Sequence, residues 1–366
     1  MTIEEISDYG DLESLKGEWD FLIRESGADC FHLTHEWTSA WWKNLGTGNK
    51  LFILLAREGG KTLGIAPLMI SRGRLSGIPV RKIEFIGAGW GYGGFILGDK
   101  KELCIRLMMD YLVDKSKIWD VAALCRVPAD PEETAIIESS IKESGLLSLT
   151  EKEHIPCIAL IGTWQDYLSE RSYSFRRNFK NRERRIKKIG PVFFDRHNNG
   201  KCVPDLGKLM DTVFDISSRS WKWKEGTAIA SSEEVRNFYL TLAQVLHERG
   251  WLELSILKVN GKPVSYMLGA LYKRKYIDID IAFDEAYSSS APGNLHRIYL
   301  LKNLFEEDDA DIFDFGAAFE YKKEYTSSEK EFKSILLFKK SIYSLVQYAI
   351  RSRIFPLVRK KRDRRS

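Results

Sequence analysis

Leu252–Leu271 reads LELSILKVNGKPVSYMLGAL, and some 200 residues earlier Leu51–Ile70 reads LFILLAREGGKTLGIAPLMI. Each stretch is an apolar strand, a short turn and a second apolar strand. The turns are Gly59-Gly60-Lys61 and Asn260-Gly261-Lys262. Asn-Gly between apolar runs predicts a hairpin, because both central positions of a type I′ turn need positive φ. Both halves then continue with the same kinds of element. In the second half these are a strand over Tyr276–Phe283, a helix over Gly293–Glu306 and a strand over Asp311–Phe315. In the first half they are strands over Lys82–Ile86 and Phe95–Leu97, a helix over Glu102–Val113 and a strand over Trp119–Cys125. The matching order predicts two α/β modules of one design.

A helical connector lies between them. Trp164–Ile189 contains no Gly or Pro and stops at Gly190-Pro191. Asp205–Ser220 and Ser232–Arg249 read as two more helices, the second closed by Gly250. The intervening Trp221–Ala230 (WKWKEGTAIA) fits neither period and reads as a loop. These readings set modules at 1–160 and 161–340 and a tail at 341–366.

The 366 residues are 44% hydrophobic and 29% charged, which suits a folded chain with a sizeable core and excludes a mainly disordered or collagen-like one. Apolar runs such as Leu51–Ala56 fall far short of the about 20 residues of a membrane span. The acidic start MTIEEISDYGDLES has no apolar core, so no secretory signal is expected. Cys30, Cys104, Cys125, Cys157 and Cys202 show no metal or redox spacing, so a disulfide framework or zinc site is not expected and a reducing cytoplasm is the simplest compartment. The net charge of +5 is unevenly spread. From Phe338 to Ser366 ten Lys or Arg face Asp363 alone, which leaves the rest of the chain at −4. A second run, Arg171–Lys188, carries nine Lys or Arg against Glu183. Such runs read first as solvated helix faces, and nucleic acid is not an expected partner.

Three places carry chemistry. In the loop from Asp284 to Asn294, Ser288, Ser289, Ser290, Ala291, Pro292 and Gly293 lead into a helix. Unpaired N–H groups and the helix dipole there suit a phosphate or pyrophosphate, and an ordinary Ser/Pro/Gly cap is the alternative. No P-loop or dinucleotide fingerprint accompanies it, and the Gly87–Gly94 stretch (GAGWGYGG) reads as a loop between strands. On the preceding strand, Asp278 and Asp280 at spacing two should share one face, with Ile277, Ile279 and Ile281 on the other. Either acid is a candidate general base, or both mark a solvated sheet face. Finally, Asp314 lies in Asp311–Gly316 (DIFDFG), and Tyr321, Lys322, Lys323 and Tyr325 follow it. A Lys at a strand's C-terminal end can stabilise oxyanion charge. The histidines show no ligand spacing, and His32 and His35 beside Trp37, Trp41 and Trp42 read as a packing cluster, so no metal site is expected. No Gly-x-Ser-x-Gly elbow or Cys/His pair supports covalent catalysis.

Several segments together resemble one family. Phe31-His32-Leu33-Thr34-His35-Glu36-Trp37 with Trp41-Trp42 is similar to the opening signature of the cellulose-biosynthesis-type (CelD/BcsL-like) acetyltransferases. These are double-module members of the GNAT superfamily, related to the Fem peptidyltransferases. The likeness continues through Gly64-Ile65-Ala66-Pro67-Leu68, Ser174–Arg185, Arg219-Ser220-Trp221-Lys222, Arg249-Gly250-Trp251 and Gly261-Lys262-Pro263-Val264. It ends with Tyr287 to Gly293, Phe313-Asp314-Phe315-Gly316 and Tyr321-Lys322, and so covers roughly residues 5–340.

The resemblance implies two tandem GNAT-like modules, each a mixed, mostly antiparallel sheet flanked by helices, with acetyl-CoA or another acyl-CoA on the second and no metal. It implies that Ile281, Ala282 and Phe283 hold the pantetheine. Ser290, Ala291, Pro292, Gly293 and Asn294 would take the pyrophosphate. The usual Arg/Gln-x-x-Gly-x-Gly/Ala loop is reduced here to Ser289-Ser290-Ala291-Pro292-Gly293-Asn294, with one glycine and no leading Arg or Gln. Lys322 matches a lysine that Fem-type proteins place near the transferred group. The expected activity is an N- or O-acyltransferase acting on a small-molecule or glycan acceptor, a sugar or polysaccharide precursor, by direct attack on the thioester. Asp280 or Asp278 would deprotonate the acceptor and Lys322 would steady anionic charge. The alternatives are an aminoacyl-tRNA-dependent Fem-like peptidyltransferase and a non-catalytic, membrane-associated scaffold.

The tail adds one expectation. Ile342, Leu345, Val346, Ala349 and Ile350 form an apolar helical stripe, and Arg359-Lys360-Lys361-Arg362 and Arg364-Arg365 follow Pro356. That pattern suits the surface of an anionic membrane, at the inner membrane face. The alternative is a stripe packed on the second module.

Overall fold

A computed structural model describes residues 1–198 and 205–354; Cys202 and the basic run from Arg359 lie outside them. The chain divides into two compact units, Met1–Glu153 with the chain from Glu331, and His154–Lys330. The expected boundary near residue 160 therefore moves to 153/154, and the end of the expected second module returns to the first unit. The reason is strand pairing. The last strand, over Glu329–Phe338, runs antiparallel to Val121–Pro128, with Phe338 opposite Val121 and Phe332 opposite Pro128.

The strands, in chain order, are β1 (Thr2–Ile6), β2 (Lys50–Glu58), β3 (Lys61–Leu75), β4 (Ile78–Phe85), β5 (Ile96–Leu97), β6 (Val121–Pro128), β7 (Leu147–Ala159), β8 (Val192–Asn198), β9 (Leu252–Val259), β10 (Lys262–Tyr272), β11 (Lys275–Phe283), β12 (Ile312–Asp314) and β13 (Glu329–Phe338). The first unit orders its strands β1-β2-β3-β4-β6-β13, and the second β8-β9-β10-β11-β12-β7. The echo read from the sequence therefore extends through whole sheets. In each unit a hairpin is followed by an antiparallel strand, and a helix crosses to a parallel one, β4 to β6 and β11 to β12. Each is an open mixed sheet flanked by helices.

The hairpin turns form as their residues require. Asn260 and Gly261 have φ of 52° and 74°, and Gly59 and Gly60 have 58° and 82°. A third turn of this kind, Ser76-Gly77, joins β3 to β4 and has no apolar alternation before it to announce it. The connector is two helices, Trp164–Glu170 and Tyr173–Ile189, rather than one. Arg171 is extended and the Ser172 side chain accepts from the Phe175 N–H, so a cap breaks the helix where no Gly or Pro does. Trp221–Lys224 is a short helix inside the expected loop.

In the first unit, Ile105, Met108 and Leu112 of the helix Lys101–Asp114 pack with Phe52, Leu54, Leu68 and Ile83. There His32 meets Trp37 edge-on at 4.6 Å and Tyr92 at 5.0 Å, as a packing cluster would. In the second unit, Ile298, Leu301 and Leu304 of the helix Pro292–Glu307 pack with Met267, Tyr276 and Phe313. Among the described residues no helix is long and apolar enough to cross a membrane.

Candidate active site

The site is built where β11 parts from β12. Their parallel ladder has three pairs, Lys275 with Ile312, Tyr276 with Phe313 and Ile277 with Asp314, and goes no further. Beyond it the β10 side of β11 stays paired, up to Phe283 opposite Ser265. The other edge, past Ile277, has no ladder partner among the described residues. A turn enforces the parting. Gly316 has φ of 70°, and a Cβ there would lie 2.5 Å from the Asp278 carbonyl oxygen, so only glycine lets the chain turn so close to β11. The Asp314 carboxylate holds that turn by accepting from the Gly316 N–H at 2.9 Å. Ile281, Ala282 and Phe283 lie on the stretch of β11 that is paired to β10 on one side and has no ladder partner among the described residues on the other.

The helix Pro292–Glu307 starts beside that stretch. Ala291 precedes it in the left-handed region, with φ 48°, and no side chain caps it. Here the sequence reading needs correction. Ser290 is buried, and the Ala291 N–H donates to the Ser288 carbonyl at 2.9 Å, so these do not form an open cradle. Pro292 has no N–H, and Leu295 donates back to Ala291. That leaves the N–H groups of Gly293 and Asn294 without an acceptor among the described residues, at the positive end of the dipole. Gly293 lies against β11: an added Cβ would stand 3.0 Å from the Phe283 ring.

A buried relay fixes this helix to the strands. Ser265 Oγ donates to the Ala282 carbonyl at 2.9 Å, so His296 Nδ1 must donate to Ser265 at 3.0 Å. Its Nε2 then accepts from Ser255 Oγ at 2.8 Å. Burial pulls the His296 pKa down to about 3, so the ring is neutral. The far end of the helix is tied by Arg196, which makes a bidentate pair with Glu253 at 2.8 and 3.0 Å and also reaches Glu307 at 3.1 Å.

The two acids of β11 do not share a face. Leu268 is opposite Asp280 and Gly269 opposite Asp278, so Ile279 is an extra residue with no partner on β10. This β-bulge interrupts the alternation between the acids. Asp278 pairs through Oδ2 with Arg297 of the helix at 3.1 Å, and both are buried. Asp280 instead accepts from Lys222 Nζ at 2.6 Å and from Tyr266 OH at 2.5 Å. Lys222 comes from the short helix, and the neighbouring Arg219 donates to Asp284 at 2.9 Å, which pins the loop after β11.

Lys322 is 4% exposed, not a surface lysine. Its Nζ donates to the carbonyls of Phe315 at 2.7 Å and Ala317 at 3.2 Å, and burial pulls its pKa down to about 8. Asp278 opposes that fall, while Arg297 adds to it. Arg297 lies 5.6 to 5.7 Å from the ring centres of Phe315, Tyr321 and Tyr325. Asp278 Oδ1 and Arg297 Nε have no hydrogen-bond partner among the described residues, so the cluster retains polar capacity in a buried place. Tyr325 is buried, whereas Tyr321 is exposed and stacks on Phe319 at 6.0 Å. The sequence reading missed Arg297 and Tyr266, and it quoted Lys222 within the family likeness without giving it a role. A signal existed for the first: Arg297 is the sole Lys, Arg, Asp or Glu between Pro292 and Leu301, among the apolar Leu295, Ile298, Leu300 and Leu301.

Residues 173–323 match the family model described as an acetyltransferase (GNAT) domain. The second unit is a GNAT-type acyltransferase. The match spans β11, the helix start at Pro292 and Lys322. No curated protein matches the sequence. Among solved structures, FemX is similar with a TM-score of 0.57 at 12% identity, over 91% of this chain and 97% of that one. The C-terminal domain of an Agrobacterium fabrum protein described as a lysylphosphatidylglycerol synthetase is similar with a TM-score of 0.53 at 11% identity, over 93% and 96%. A tandem GNAT protein from the clavulanic acid biosynthesis pathway is similar with a TM-score of 0.50 at 10% identity, over 93% and 99%. At these identities the likeness is one of fold.

Proposed function

We propose that the second unit transfers an acyl group, in the simplest case acetyl, from an acyl-CoA to an amine or hydroxyl of a sugar or polysaccharide precursor. The acceptor class follows from the resemblance to the cellulose-biosynthesis-type acetyltransferases. The observation that carries the donor is the parting of β11 from β12 after Ile277, beside a helix start with two unengaged N–H groups. A bare strand edge suits the amide groups of an extended pantetheine arm, as it would an added strand. The Gly293 and Asn294 N–H groups suit the pyrophosphate, although the shortened loop offers fewer of them than the usual motif. The donor supplies a thioester carbonyl open to direct attack: the acceptor N or O bonds to that carbon, the C–S bond breaks, and CoA leaves as a thiolate that takes a proton from water.

The chain's own groups divide the remaining work. Lys322, charged below about pH 8, steadies negative charge on the carbonyl oxygen. Asp278 takes the acceptor proton through its unpartnered Oδ1, with Arg297 fixing the carboxylate. Asp280, with both oxygens engaged, positions the Lys222 corner instead.

One observation favours a second reading. The helix Tyr173–Ile189 exposes Arg177, Lys180, Arg184, Arg185, Lys187 and Lys188, a basic row that would suit RNA phosphates in a Fem-like, aminoacyl-tRNA-dependent transfer. Calorimetry separates the two. Acetyl-CoA should bind the parent. Gly293→Asp, which adds a negative charge at the helix start, should weaken binding by about tenfold or more. Gly293→Ala, which only crowds Phe283, should weaken it less. Absent acetyl-CoA binding together with salt-dependent tRNA binding would replace the first reading by the second.

A further inference from the structure

The helix Ile342–Ala349 sits on the first unit with its polar residues inward. Ser344 and Gln347 are 0% and 1% exposed, whereas Ile342, Leu345 and Val346 are 84%, 42% and 48% exposed. An amphipathic helix on a globular domain ordinarily buries its apolar stripe. Contacts of Ser341, Tyr343, Ser344 and Tyr348 hold the helix this way round, while the buried Gln347 amide has no hydrogen-bond partner among the described residues. The Ser341 side chain caps the helix, Ser344 Oγ donates to the Asp120 carbonyl at 2.9 Å, and Tyr343 OH donates to the Pro79 carbonyl. Tyr348 packs edge-on against Phe338 at 5.5 Å. The stripe read from the sequence therefore exists and is turned outward.

We infer that this face lies on an anionic membrane surface. The apolar side chains are continuous in sequence with a strongly basic stretch: from Arg351 to Ser366 eight Lys or Arg accompany Asp363 alone. Arg351 pairs with Glu151 at 2.8 Å, which ties the start of that stretch to the domain. Apolar groups at the headgroup boundary and cations beside anionic lipid stabilise binding together. A second copy would carry the same excess of cations, and like charge disfavours self-association. A nucleic acid would use the charge and leave the stripe in water.

The test is sedimentation of the full chain with vesicles of phosphatidylglycerol and phosphatidylcholine, or of phosphatidylcholine alone. The parent should sediment with the anionic vesicles at low salt and be released by high salt. The triple variant Ile342→Ser, Leu345→Ser, Val346→Ser keeps every basic residue and alters exposed positions only. It should keep the parent's circular dichroism and lose affinity for anionic vesicles by about tenfold or more. A parent that stays in solution overturns the inference, as does a triple variant that binds as tightly as the parent. So does a parent that dimerises in sedimentation velocity through the stripe and ignores vesicles.

Discussion

Replacing Lys322 by Met tests whether the folded protein buries a true charge beside Arg297. Lys322 is 4% exposed, and burial lowers its pKa from 10.5 to about 8. In the unfolded chain the ammonium keeps its proton to about pH 10.4. Between about pH 8 and pH 10.5 the unfolded state thus binds more protons than the folded one, and the stability contributed by Lys322 rises with pH. Below about pH 8 both states are protonated, and the cost of burying the charge is fully present. At about 1.36 kcal/mol per pH unit, a fall from 10.5 to about 8 corresponds to about 3 kcal/mol. Met keeps the volume of the stem and removes the charge. The lost hydrogen bonds to Phe315 and Ala317 add an offset that does not vary with pH. Urea unfolding of parent and Lys322→Met at about pH 7, 8, 9 and 10 isolates the titration, because other groups titrate alike in both. The stability of the Lys322→Met variant relative to the parent should fall by about 2–3 kcal/mol from the lowest pH to the highest. A difference flat across that range would show that folding does not depress the Lys322 pKa, and the reading of an ammonium whose charge is disfavoured by burial would fall.

Asp278→Asn leaves Arg297 charged and without its buried counter-ion, and should cost about 3–5 kcal/mol by chemical denaturation. Asp280→Asn should cost less, because the Lys222 side chain, at 17% exposure, reaches solvent; equal losses would contradict the different settings that the bulge gives the two acids. Ser265→Ala removes the acceptor of His296 Nδ1 and the donor to Ala282, and should cost about 1–3 kcal/mol. Because the imidazole is neutral above about pH 3, that loss should be the same at about pH 5.5 and pH 8, and a loss that changes with pH would show that His296 titrates there.

The sequence by itself determined the repeated module. Hairpins at Gly59-Gly60 and Asn260-Gly261 follow from backbone angles that these residues adopt and most others resist, so local chemistry was sufficient. The apolar runs and the helix stops at Gly190 and Gly250 are local in the same sense. The strand Lys275–Phe283 and the helix start at Pro292 were legible in place, though not in detail. Which N–H groups stay unengaged depends on Ala291 turning left-handed and bonding back to Ser288. Tertiary structure alone decided the rest. The spacing of Asp278 and Asp280 predicts a shared face, but the bulge at Ile279 depends on how β10 pairs, which no local pattern states. Lys322 is indistinguishable in sequence from an exposed loop lysine until the Gly316 turn and the Arg297 helix close over it. The stripe of Ile342, Leu345 and Val346 shows the same limit. Periodicity finds an amphipathic face, but which face turns inward is set by the groups it meets, here the carbonyls of Pro79 and Asp120.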